Sequence, residues 1–176
     1  MIQFHPDYSK TVEVVLWVLN NSPGIHLYNL MKVLFHADVV SVNRYGRPVI
    51  GDTYLAMEHG TVPQLVYTEL MRRESWLLDA LGWQNWPWSS EGHAWYAHRP
   101  ANADYLSQTD QIALLEGIQE YASLPFAAVR AKNHRVKAWI STWQHNPGGV
   151  MDWADLIEDE GVRADFEDLA PFLVFA

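Results

Sequence analysis

Between two runs of helically spaced apolar residues the chain carries VNRYGRPVIGDTYLAMEHGTVP, from Val42 to Pro63. Three glycines and two prolines fall among its Tyr, Val, Ile and Leu residues. Glycine takes positive φ without strain, while proline fixes φ and removes a donor, so this stretch must turn at set places. Upstream, Val12, Val15, Leu16 and Leu19 mark a helix over 11–19 that Asn20-Asn21-Ser22-Pro23-Gly24 stops. Leu27, Leu30, Met31, Leu34 and Phe35 then form one apolar stripe of a second helix, with Lys32 and Asp38 near its edges. Tyr45-Gly46-Arg47-Pro48 ends it. Val49-Ile50 and Thr53–Met57 read as short strands joined by a Gly51-Asp52 hairpin. Pro63 suits the first turn of a third helix, which runs to about Gly82.

Farther along, Trp83–Trp95 lacks helical periodicity, and Gly92–Pro100 reads as a strand that pairs with the first hairpin. LSQTDQ carries a capping box, Ser107 accepting from the third helical N–H while Asp110 reaches back. Shorter helices follow from about Pro125, Val136 and Asp152. The expectation is a mainly α domain with a small antiparallel β-hairpin or sheet (α+β), with residues 1–176 as a single compact unit; 176 residues suffice for one core.

A net charge of −9 argues against nucleic acid as a partner, since phosphate neutralisation needs clustered Lys and Arg. The one basic stretch, Val129–Lys137, reads as a solvated helix face. There is no cysteine, no apolar run of membrane-spanning length and no secretory pattern at the amino terminus, so a cytoplasmic location without membrane contact is expected. Phosphate-cradle spacings are missing from the 42–63 stretch. His36, Asp38 and His59 are residue types that ligate metals, but two positions apart on a helix His36 and Asp38 diverge, and no HExxH pattern exists. Neither a metal nor another cofactor is expected, and no nucleophile elbow marks a catalytic serine. A small hydrolase or nucleotide-acting enzyme stays open only if the fold converges Asp38, Asp52 and His59. Otherwise Tyr45, Gly46, Arg47, Pro48, Asp52, Tyr54, His59 and Gly60 make a rigid turn, with Asp52 bonding nearby backbone N–H groups. Nine tryptophans, five of them between Trp76 and Trp95, serve a core or an interface. Trp86, Trp88 and Trp95 are the candidate partner anchors.

The segment LMKVLFHADVVSVNRYGRPVIGDTYLAMEHGTVPQLVY resembles the signature of the Panacea antitoxin domain, the SocA-like family of bacterial toxin–antitoxin systems. Lys32, Ala37 and Asp38 match its helix, Tyr45 to Pro48 its turn, and Asp52 with Tyr54 the element after it. Gly60, Val62, Pro63 and Tyr67 match the rest, although Phe35 replaces a Tyr and Gly60-Thr61-Val62 replaces Gly-Pro-Val. Weaker similarity extends over LSQTDQIALLEGIQEYASLPFAAV, His134, Ala138-Trp139 and the acidic GVMDWADLIED. The resemblance implies a non-catalytic antitoxin that binds and neutralises a toxin encoded beside it. It also implies, for some members, a cellular protease as a further partner. In that adaptor alternative the apolar tail Leu173–Ala176 delivers the toxin for degradation.

Overall fold

The computed structural model describes residues 2–173, with side chains through residue 168. Its axis is α2 (Leu27–Tyr45), in which Asn29 through Phe35 are buried without interruption. The expected single stripe is therefore too narrow: a helix with side chains covered on every side is interior. One side of α2 joins a core cluster with Val15, Leu19, Leu70 and Leu114, and the other joins a second cluster with Tyr54, Trp139, Met151 and Trp153. α1 (Tyr8–Asn21) begins where the Asp7 side chain accepts from the Lys10 N–H. α4 (Gln108–Tyr121) lies against α2 and carries the expected capping box, Asp110 N–H to Ser107 Oγ at 3.1 Å and Ser107 N–H to Asp110 Oδ2 at 3.0 Å. α2 ends as Gly46 turns to φ 69°, a left-handed close that glycine accepts readily.

Among the described residues five strands form two antiparallel sheets, confirming a mainly helical α+β fold, but the pairing departs from expectation. Val49, Ile50 and Gly51 form no strand, because their N–H groups are taken by the Asp38 carboxylate. The hairpin instead joins β2 (Tyr54–Met57) to β3 (Gly60–Pro63), with Met57 opposite Gly60 and Glu58-His59 at the turn. Pro63 closes β3 opposite Tyr54 rather than opening a helix. After it, Val66–Leu70 forms a π-helical turn, and Arg73, at φ 61°, separates that turn from α3 (Ser75–Ala80), so the third helix is broken. The second sheet has the order β1 (Ile25–His26), β5 (Ala94–Ala97), β4 (Trp88–Glu91). The Gly92–Pro100 strand thus pairs with β4 and β1, not with the first hairpin. α5 (Phe126–Asn133) and α6 (Lys137–His145) flank the hairpin, and α7 (Glu160–Leu173) closes the described chain. No helix among the described residues is long and apolar enough to cross a membrane.

Candidate functional site

Three polar residues buried in or beside α2 hold the turn-and-hairpin segment in place. Asp38 is fully buried and accepts four hydrogen bonds, from the N–H groups of Val49 (2.8 Å), Ile50 (2.8 Å) and Gly51 (3.0 Å) and from the Tyr54 hydroxyl (2.8 Å). Burial raises the Asp38 pKa to about 6, against those four donors, which favour the charged form. Asp52 is buried as well and accepts from the N–H groups of Leu65 (3.0 Å) and Val66 (3.1 Å), the first turn of the helix after the hairpin. Its pKa also rises to about 6, mainly through burial. The sequence reading of Asp52 as a ligand for backbone N–H groups holds, although those groups lie across the hairpin. Burial, with both carboxylates adjacent, drives the Tyr54 hydroxyl well above its usual pKa, so it stays a donor.

Lys32 lies in the interior rather than at an edge of α2. Its ammonium donates to the Thr61 carbonyl of β3 and sits 4.8 Å from the centre of the Tyr28 ring. Burial lowers its pKa to about 7, since removing an amine from water disfavours the charged form.

The remaining turn residues divide by role. Arg47 donates to Asp110 (2.8 Å), Ser107 (2.8 Å) and Thr109 (2.9 Å), fastening the turn to the start of α4. Its own carbonyl accepts from Ser41 Oγ at 2.7 Å. Tyr45 and Gly46 are exposed, and Pro48 packs against Gly51. Gly60, at φ 107°, rests on Asn133: a Cβ there would stand 2.1 Å from Asn133 Oδ1, the atom that accepts the Thr61 N–H at 2.6 Å. Asn133 is an important residue that sequence reasoning missed, because it lies inside the basic stretch taken for a solvated face. The hairpin tip is braced further by His134, whose ring meets the Glu58 carbonyl at 3.0 Å, and by the Trp139 indole, which donates to the Met57 carbonyl at 3.0 Å. His134 and Trp139 stack at 4.0 Å, and Trp143 continues the stack at 5.5 Å. From the far side, the Tyr28 hydroxyl donates to the His59 carbonyl at 2.7 Å.

His59 itself is exposed at the tip, while Asp38 and Asp52 engage backbone at the hairpin's base. A four-residue strand separates tip from base by roughly 10 Å, so Asp38, Asp52 and His59 do not converge as an acid–base set. Trp88 and Trp95 are core residues, 1 % and 6 % exposed, and neither is displayed as a partner anchor in this fold; Trp86 is half-buried against the same core. Their crowding reflects a need for volume beside a short sheet. Among the described residues no group of three or more His, Asp or Glu is placed to hold a metal ion. The tail positions 174–176 lie outside the described residues.

The scaffold so defined is a helical α+β unit in which buried polar side chains hold a hairpin by its backbone. The chain belongs to the family described as antitoxin SocA-like, Panacea domain, whose model matches residues 30–140. That span contains Lys32, Asp38, Arg47, Asp52, Tyr54, Gly60 and Asn133, the groups that build and brace the hairpin. No curated protein and no solved structure matches the chain.

Proposed function

We propose that the chain is an antitoxin that neutralises a cognate toxin, encoded by the adjacent gene, through direct protein–protein binding and without catalysis. The observation that carries this reading is the family match over residues 30–140. The geometry is consistent with it. Asp38, Asp52 and Lys32 are each committed to backbone groups, while the hairpin they hold presents Met57 and His59 at an exposed tip next to exposed Phe126. A surface braced from α2, α5 and α6 is preorganised, so little ordering entropy opposes binding there. A net charge of −9 suits a partner with a basic functional surface.

The test is co-expression with the product of the neighbouring gene, scoring growth and co-purification. Rescue from growth arrest together with a recovered complex supports the reading. No arrest and no complex overturns it. Association that is strong yet insensitive to salt would remove the charge argument alone.

A further inference from the structure

Beside the hairpin lies a slot of about 260 Å³. Met31 and Lys32 of α2 form its floor, apolar and aromatic side chains of α2, β3 and the π-helical turn form its walls, and His26, Met57, His59 and His93 form its rim. We propose that this slot receives one large apolar side chain of the partner protein, carried next to a carboxylate. The proposal rests on the antitoxin reading and assigns the surface through which that binding occurs.

Size gives the first argument. Pockets for drug-sized molecules run to about 300–1,000 Å³, and 260 Å³ falls below that, on the scale of a single side chain. Chemistry gives the second. The chain has 21 acidic residues against 12 Lys and Arg, yet among the described residues no Asp or Glu lines this slot. Its polar lining is one amine, three imidazoles and the phenols of Tyr28 and Tyr67. The Lys32 amine has no carboxylate partner among the described residues; it meets only the Thr61 carbonyl and the Tyr28 ring. At the rim His26 and His93 stack at 4.9 Å. His26 Nδ1 accepts the Tyr28 N–H at 3.2 Å, which places the proton of the neutral ring on Nε2, as a donor. A carboxylate at this mouth finds imidazole donors and lies in the field of a buried amine, whereas a basic group finds no acceptor of opposite charge. The apolar neighbour of that carboxylate meets Met31 and Met57, whose unbranched thioethers adapt to an entering ring or aliphatic chain. On a chain of net charge −9, a slot without acidic lining also favours one register of docking for an acidic group.

The experiment titrates the full chain, carrying labelled methionine methyls, with N-acetylphenylalanine and with its uncharged counterpart N-acetylphenylalaninamide, read by nuclear magnetic resonance. Shifts at Met31 and Met57 are expected, with the acid binding about five-fold more tightly than the amide, the ratio that one modest charge contact supplies. Met57→Glu, at an exposed rim position, should abolish acid binding, and Lys32→Met, which keeps the length and apolar stem, should shrink the preference for the acid. Equal binding of acid and amide, or shifts confined to residues outside the slot, overturns the proposal. In the co-purified complex Met57→Glu should release the partner; a variant that rejects the probe but retains the partner overturns the assigned occupant. If the wild-type chain recovers no toxin, the antitoxin reading fails and the occupant with it. The probe titration contains no toxin and reports on the slot separately.

Discussion

Replacing Asp38 by Asn exchanges a carboxylate for a neutral isostere at the most densely bonded point of the fold. Oδ1 accepts from Val49 and Ile50, and an Asn oxygen can keep both bonds. Oδ2 accepts from the Gly51 N–H and the Tyr54 hydroxyl. The hydroxyl can turn and accept from the new amide, but the Gly51 N–H then faces another donor. Leaving one buried donor unsatisfied costs about 1–3 kcal/mol. Burial works against this loss, because the wild-type carboxyl is raised from 3.8 to about 6. A carboxyl raised on folding binds its proton more tightly in the native state, so its contribution is greatest below the unfolded pKa and falls as pH rises through the folded one. At pH 5, one unit below the folded value, wild type holds about 1.4 kcal/mol that it lacks at pH 7.5, and the Asn variant has no such group. The variant's deficit should therefore be about 1.4 kcal/mol larger at pH 5 than at pH 7.5. Asp52, also raised to about 6, is present in both proteins and largely cancels in the difference. Urea unfolding at the two pH values measures this directly. A deficit equal at both, or larger at pH 7.5, would refute the reasoning and show that the four donors match or outweigh burial at Asp38.

Gly60→Ala places a Cβ against Asn133 Oδ1 at a backbone φ of 107°, and should cost about 2–4 kcal/mol in thermal unfolding, with faster hydrogen exchange at the Thr61 amide. Because the Lys32 pKa falls from 10.5 to about 7 on folding, the native state releases its proton first and stability rises with pH above 7. Wild type should gain about 2 kcal/mol from this residue between pH 7 and pH 9, and Lys32→Met should gain none, as read by denaturant titration at both pH values. Arg47→Lys keeps the charge but loses the planar fork that reaches Asp110, Ser107 and Thr109. The side chain is half-exposed, so a loss of about 1 kcal/mol is expected, with exchange quickened in the first turn of α4. No change in either would mean that the fork is redundant with the Ser107–Asp110 capping box.

Much of the architecture follows from local pattern. α1, α2 and the capped start of α4 are written in spacing and in single side chains, and Gly46 stops α2 as a glycine at that place should. The hairpin's register departs from the local pattern for a physical reason. Gly51-Asp52 is a sound turn signal between β-branched residues, but the amides of Val49, Ile50 and Gly51 are claimed by a carboxylate eleven to thirteen positions earlier. Local sequence cannot express that competition. The spacing puts Lys32 at an edge, and lysine is seldom buried; what permits its burial is the Thr61 carbonyl on a strand twenty-nine positions away. Asn133 carries no local signal, as its partner is the Thr61 amide and its neighbours are basic. The two-residue β1 is too short for any alternation to show and merges directly into α2.

The groups that α2 holds all follow it in the chain. Asn29 donates to the carbonyls of Tyr121, Ala122 and Leu124, Lys32 to Thr61, and Asp38 accepts from Val49 to Gly51. During synthesis from the amino end, the helix therefore leaves the ribosome before the groups that bond Asn29, Lys32 and Asp38. A nascent chain ending before Val49 has no donor to close around Asp38, and one ending before Thr61 has no acceptor from β3 for Lys32. Burial of either is unfavourable until those residues arrive, so α2 stays wet until Thr61 has been added. It can be fully enclosed only after Trp153, in the cluster on its other side, has emerged, so a finished interior waits on segments more than a hundred positions downstream of the helix.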